Sequence, residues 1–278
     1  MNVEKSESAI WRVPARWVRG TGGQWSQFSG LYTREILRTF RNPWVLVITI
    51  VQPFMWLAFF GSSFSAAPPA EVRAIFGTSS YLAFLLPGVL STSMLTVGMF
   101  GSMSTIQDKR FGFMKRILLT PTRKTTVFLS KALGSATRGL VQIPVMVAAA
   151  YAFGVRLQGT PGLWLAWALG LFLVAVGMSS LFLALTASST DWQTPGVISN
   201  FLTMPLMFAS AALFPQVNFP AWMQVISRWN PVTYSALFGR GITLSGVANW
   251  TYLGYLAIFA VLMVALGTLV ASRYLRAE

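Results

Sequence analysis

Residues 44–63 form a run of twenty residues without a charged side chain, and five comparable runs follow at about 81–101, 140–155, 163–187, 195–214 and 251–271. At about 1.5 Å per residue, a twenty-residue helix is about 30 Å long, which matches the hydrocarbon core of a bilayer. Inside that core every backbone N–H and C=O needs an internal partner, so each run is expected to be a helix. The fold class is therefore an all-α integral membrane protein with six transmembrane helices. Composition agrees: 54% of the 278 residues are hydrophobic and 10% charged, whereas about a quarter are charged in a typical soluble domain.

Several interruptions carry information. Pro53 falls near the middle of the first span and should kink it, and Pro87 lies in the early turns of the second. The third span is short unless it borrows residues ahead of position 140, with Arg138 reaching out to the headgroups. The fifth contains Asn200, Thr203 and Pro205. Between the fifth and sixth spans, 220–226 and 234–238 are apolar pieces too short to cross, separated by Asn230-Pro231. They read as re-entrant half-helices whose ends must be buried in protein. The stretches 65–80 and 156–162 read as loops and 188–194 as a polar turn.

The charges show which end is which. Seventeen of the 21 Lys and Arg residues precede the first span, lie in 102–138 or follow the last span; Arg73, Arg156, Arg228 and Arg240 fall on the other side. By the positive-inside rule both termini and the 102–138 segment are cytoplasmic, in a multi-pass protein of the cell membrane. The net charge of +14 thus reports topology and is not read as a nucleic-acid-binding surface. The chain has no Cys and no His, so disulfides, thiolate chemistry and the commonest metal ligands are absent. Its seven acids are scattered, so no carboxylate-built catalytic or metal site is expected, nor a membrane-embedded transferase. No ring of charge suggests a channel. The first residues lack the features of a signal peptide and read as mature sequence.

Two basic stretches flank the spans. Residues 1–23 are polar, with Arg12, Arg16 and Arg19 among Trp11 and Trp17. In 24–41, Trp25, Phe28, Tyr32 and Ile36 recur at helical steps, with Arg34, Arg38 and Arg41 on the opposite side and Glu35 as the single acid. This is either an interfacial amphipathic helix with its arginines among phosphates or a cytoplasmic helix packed on the protein. The expected organisation is thus an N-terminal part, 1–43, and a six-span domain, 44–278. Within 102–138, a helical block at 107–119 meets Thr120-Pro121. Asp108 is its only acid, and Phe111, Gly112, Phe113 and Met114 form an apolar centre among Lys109, Arg110, Lys115 and Arg116.

Several stretches, taken in order, resemble the ABC type 2 permeases, particularly the membrane subunits of daunorubicin-resistance-type drug exporters. They are Arg41-Asn42-Pro43 with Gln52-Pro53 after it, YLAFLLPGVL at 81–90, GFMKRILLTP at 112–121 with Lys131 beyond, PLMFASAALFPQVNF at 205–219, and RWNPVTY at 228–234 followed by Arg240. The family often carries an acid a few positions after the glycine matching Gly112. Here Lys115 and Arg116 stand in that region, and the acid is Asp108.

The resemblance implies a transport subunit, not an enzyme, working with a separate cytoplasmic ATPase that binds ATP and Mg. This chain has no GxxxxGK[ST] phosphate loop of its own. Two permease copies, a homodimer, would pair with two ATPases. A coupling helix at about 104–119 would put Phe111, Phe113 and Met114 into a groove of the ATPase, oriented by Asp108, Lys109, Arg110, Lys115 and Arg116. The cargo is expected to be a lipophilic drug-like compound or a lipid moved outward by alternating access. Export of a lipid-linked polysaccharide or other envelope precursor is the alternative. No charge falls in the middle of an expected span, and Phe54, Met55, Phe59, Met94, Asn200, Thr203, Met204 and Met207 are the candidate lining of an apolar substrate path, or else ordinary core and lipid-facing residues.

Overall fold

Residues 23–63, 67–78, 80–118, 122–187, 191 and 193–274 are described by a computed structural model. The expected polar arm at 1–22, the Thr120-Pro121 helix stop and most of the 188–194 turn lie outside these residues. Among those described, all regular structure is helical: α1 (Gln24–Arg41), α2 (Pro43–Ser63), α3 (Pro69–Phe76), α4 (Tyr81–Arg110), α5 (Phe113–Leu118), α6 (Lys124–Leu140), α7 (Gln142–Ala152), α8 (Pro161–Thr186), α9 (Gln193–Phe208), a 3-10 turn (Gln216–Asn218), α10 (Ala221–Trp229), α11 (Pro231–Ser245) and α12 (Trp250–Tyr274).

Local chemistry sets the boundaries. Pro43 forces Asn42 out of the helical region, to φ −112° and ψ 90°, and then opens α2 as its first residue. Ser80 caps α4 by accepting from the Ala83 N–H at 3.4 Å, and Asn230 caps α11 by accepting from the Val232 N–H at 3.0 Å. Pro144, in the first turn of α7, cannot donate to the Leu140 carbonyl, which explains the break between α6 and α7. α2 by contrast stays helical through Pro53.

Among the described residues, five units are long and apolar enough to cross a bilayer: α2, α4 (with α3 ahead of it), α6 with α7, α8 and α12. The third span therefore borrows all of α6. The expected fifth span is α9, whose sixteen residues reach only about 24 Å. Past Phe208 the chain turns irregularly. Ser210 Oγ donates to the Met207 carbonyl and accepts from the Ala212 N–H, local bonds that compete with continuing the helix. The region expected to be a loop at 65–80 contains α3, whose Phe76 packs on Tyr81 and Phe84 at ring distances of 4.5 and 5.2 Å.

α4 and α8 form the centre. They pack on each other, and α8 also meets α6, α11 and α12. Leu85, Leu86, Leu90, Met94 and Leu95 of α4 are fully buried, as are Leu171, Met178 and Phe182 of α8. α2 and α12 lie outside, with apolar faces open to lipid. At the end where α4 finishes and α6 begins, a second cluster joins Met114, Ile117, Val127, Phe128, Ala132, Leu183 and Ala271, with Leu31 and Phe113 against it. This is the basic end of the molecule.

Candidate functional site

At the basic end, three helices exchange charge. Lys131 of α6 is 3% exposed and reaches both Asp108 of α4 and Glu35 of α1, the latter at 3.2 Å. Arg34 grips Asp108 with both terminal nitrogens, at 3.1 and 3.2 Å, and Arg38 adds a third guanidinium contact at 3.2 Å while also donating to Gln107. Gly134 lets α1 come this close: a Cβ there would sit 2.8 Å from the Glu35 Cβ. Two buried carboxylates held by three cations satisfy the requirement that buried charge be paired, and they tie α1, α4 and α6 into one unit. Tyr32 and Thr137 add a hydroxyl–hydroxyl bond at 2.8 Å along the α1–α6 contact.

Of the two readings of the N-terminal helix, this arrangement matches the one packed on the protein. Arg34 and Arg38 face the protein instead of pointing out among phosphates, and the exposed side carries Trp25, Leu37 and Phe40. Arg41 is exposed. The buried acid at position 108 draws the guanidinium groups inward, since an unpaired buried carboxylate is far costlier than an exposed aromatic ring.

The expected coupling helix is in two pieces. Residues 104–110 are the last turns of α4; Gly112 then takes a left-handed φ of +69°, and α5 starts at Phe113. The turn splits the apolar centre. Phe111 stands out at 78% exposure, whereas Met114 is 4% exposed and packs inside. Phe113 lies under the Arg34 guanidinium, 3.6 Å from ring centre. Within the chain Met114 is thus buried, and Phe113 is half-buried against Arg34. Asp108, 4% exposed, is likewise held internally. Arg110 and Arg116 are exposed, and Lys109 donates to the Ala187 carbonyl. The side chain of Lys115 lies outside the description.

The other polar centre surrounds Arg240 in α11. Among the described residues Arg240 forms no ion pair. It is buried over the Phe84 ring, 3.4 Å from its centre, and donates Nε to the Phe84 carbonyl at 3.0 Å. Its terminal nitrogens serve the carbonyls of Ala211 and Ala212. Tyr81 bonds the next carbonyl, Leu213, at 3.3 Å, and the Ala211 N–H donates to Thr233 at 3.2 Å. The irregular segment after α9 is buried, so its peptide groups need these donors and acceptors. Gly88 permits the approach, because a Cβ there would strike the Ala212 carbonyl. Arg240 is thus a bracket holding that segment to α4 and α11.

The expected substrate lining does not converge within one chain. Met94 is fully buried and receives the Gln142 amide at 3.9 Å. Phe54 stacks on Phe153 at 6.2 Å. On α9 the residues divide: Thr203 and Met207 turn inward, Asn200 and Met204 outward. Met55 and Phe59 are exposed on α2. Lys131 and Arg138 belong to the α6–α7 unit, and Arg138 bonds the Val97 carbonyl at 3.3 Å instead of reaching freely outward. The sequence reading missed the role of Lys131. Its signal was a lone lysine on a face of small residues that includes Gly134 and Ser135.

The model of the ABC-2 type transporter family matches residues 26–244, most of the chain and all of both polar centres. The chain belongs to this family. It is a multi-pass permease subunit of an ABC-2 transporter, of the kind that pairs with ATPase subunits. The permease is 30% identical to a Pyropia yezoensis protein named as transport permease ycf38, over 81% of this chain and 76% of that protein. It is 24% identical to the daunorubicin resistance ABC transporter permease protein DrrB1 of Streptomyces coeruleorubidus, over 81% and 80% of the two chains. To the inner membrane transport permease YadH of Escherichia coli it is 24% identical, over 85% and 91%.

Proposed function

We propose that this permease exports a lipophilic drug-like compound or lipid across the cell membrane by alternating access, driven by a cytoplasmic ATPase docked at the 102–138 segment. The observation that carries this reading is the geometry around Gly112. Phe111 is exposed at the tip of a turn flanked by Arg110 and Arg116, and Asp108, one turn back, is clamped to α1 and α6. A partner that seats Phe111 and moves the tip moves α4, α1 and α6 together. Shifting an inward-open to outward-open ratio from 1:99 to 99:1 takes about 5.5 kcal/mol, which calls for rigid contacts of this kind. The docking set is then Phe111 with Lys109, Arg110 and Arg116, while Asp108, Arg34, Glu35, Arg38 and Lys131 carry the motion inward.

Two permeases with two ATPases, both permease termini on the ATPase side, are the assembly this reading requires. Met55, Phe59, Asn200 and Met204 are exposed on a single chain, which fits a path completed by a second copy. The daunorubicin-resistance name of one relative supports a lipophilic cargo. The test is copurification with the partner ATPase and ATP hydrolysis in lipid. Phe111→Ala is expected to lower both association and hydrolysis by about tenfold, since removing a central aromatic anchor typically costs on the order of 1–2 kcal/mol. Unchanged association in a Phe111→Ala/Arg110→Ala/Arg116→Ala variant overturns the docking assignment.

A further inference from the structure

Beyond the pairing with an ATPase, we propose that Arg123, Lys124 and Arg273 form a clamp for the headgroup phosphate of an anionic phospholipid at the basic end of α12. Two segments far apart in sequence converge here. Lys124, the first residue of α6, donates its Nζ to the Ser272 carbonyl at 3.3 Å, which brings Arg123 and Lys124 to the chain turn that carries Arg273. Arg123 is also tied to α1. With the Gln24 amide turned so that its oxygen faces the guanidinium, that oxygen lies 2.6 Å from Arg123 Nε. Gln24 is neutral, so the guanidinium keeps its charge. Among the described residues, none of these three cations has a carboxylate within ion-pair distance, in contrast to Arg34, Arg38 and Lys131.

The position in the bilayer selects the ligand. α12 is the candidate span least covered by protein, with 17% of its apolar window buried, so lipid surrounds it. The helix is apolar through Ala271 and turns polar at Ser272-Arg273, where the hydrocarbon core gives way to headgroups. Arg123 and Arg273 are exposed at that level, and Lys124 is half-buried. Trp25, next to Gln24, is 79% exposed and stacks on Phe28 at 5.6 Å, a pairing suited to the boundary between acyl chains and headgroups. Three uncompensated cations beside an aromatic ring at headgroup depth complement a phosphate that is anchored by acyl chains. A free anion would bring the charge but nothing to occupy the apolar rim.

Lipid retention by the purified full chain in mild detergent tests this, using phosphatidylglycerol and phosphatidylcholine as probes and native mass spectrometry as the readout. Wild type is expected to keep phosphatidylglycerol in preference to phosphatidylcholine. The Arg123→Gln/Lys124→Gln/Arg273→Gln variant is expected to lose that preference by up to about a hundredfold, at about fivefold for each of the three cations near an anionic surface. An Arg41→Gln/Arg110→Gln/Arg116→Gln variant removes as much charge from the same end and is expected to keep the preference. The charge-preserving Arg123→Lys/Arg273→Lys variant should also keep it, which separates lost charge from lost folding. Equal losses in the two neutralised variants overturn the proposal in favour of a diffuse field. Displacement of phosphatidylglycerol by millimolar inorganic phosphate overturns it in favour of a free-anion site. Intact lipid preference with reduced ATPase copurification, in the first variant, overturns it in favour of an acidic protein surface.

Discussion

Arg240 and Lys131 are the residues on which the two polar centres depend. Each is a buried cation, but they are satisfied differently. Arg240 donates to three backbone carbonyls spread over two segments, and only the planar fork of a guanidinium serves three such acceptors at once. Arg240→Leu leaves Phe84, Ala211 and Ala212 short of donors, at about 1–3 kcal/mol for each orphaned group. It is expected to lower the thermal midpoint in detergent sharply, with Arg240→Lys intermediate. Lys131 instead neutralises two carboxylates. Lys131→Met is expected to destabilise by about 3–5 kcal/mol, because Glu35 and Asp108 then lose the cation on their buried side and keep only the half-exposed Arg34 and Arg38. Adding Asp108→Asn to Lys131→Met removes one of the two carboxylates stranded on the buried side and should recover part of that loss in the same thermal assay. If the double variant is no better than the single one, the cations and carboxylates do not act as a unit.

At the scale of elements, the left-handed turn at Gly112 separates α4 from α5 and sets which way Phe111 faces. Among the described residues no atom lies near the position of a Cβ at Gly112, so the backbone angle is what resists substitution there. Gly112→Ala is expected to cost about 1–2 kcal/mol in a left-handed conformation, and Gly112→Asn less. In the full transporter, partner-stimulated ATP hydrolysis should fall more in Gly112→Ala than the small change in stability of the isolated permease accounts for. A proportionate loss would separate the turn from coupling. The helix pattern itself was largely legible. The ends of α2, α8 and α12 fall within a few residues of the apolar runs, because apolar length and absence of charge are what a bilayer demands. The internal division of 102–138 was not legible in this way. A helical repeat and a glycine in sequence do not say whether a chain turns at the glycine or runs through it, since helices tolerate glycine at about 1 kcal/mol.

At the scale of the whole molecule, the charge asymmetry makes a direct prediction about orientation. The chain has no native cysteine, so single cysteines can be introduced without background. Ser29→Cys and Arg116→Cys are expected to react with an impermeant maleimide only from the cytoplasmic side, and Val217→Cys and Asn249→Cys only from the outside. All four positions are exposed on a single chain, so the readout depends on sidedness. The sequence by itself determined the solvent: its apolar runs require a bilayer, and its bases require one end to be strongly positive. Those properties are sums over many residues, and no single contact alters them. Which residues each charge meets was decided only by the tertiary structure. Arg34 and Arg38 turn inward because Asp108 lies seventy or more positions away in the chain and next to them in space, and Arg240 is buried because an unwound segment needs its hydrogen bonds. A buried charge is tolerated only where its partner arrives, and partner positions are set by packing. The 102–138 segment shows both sides of this. Its net charge is a property of composition, while the exposure of Phe111 and the burial of Met114 follow from one left-handed residue placed against α1 and α6.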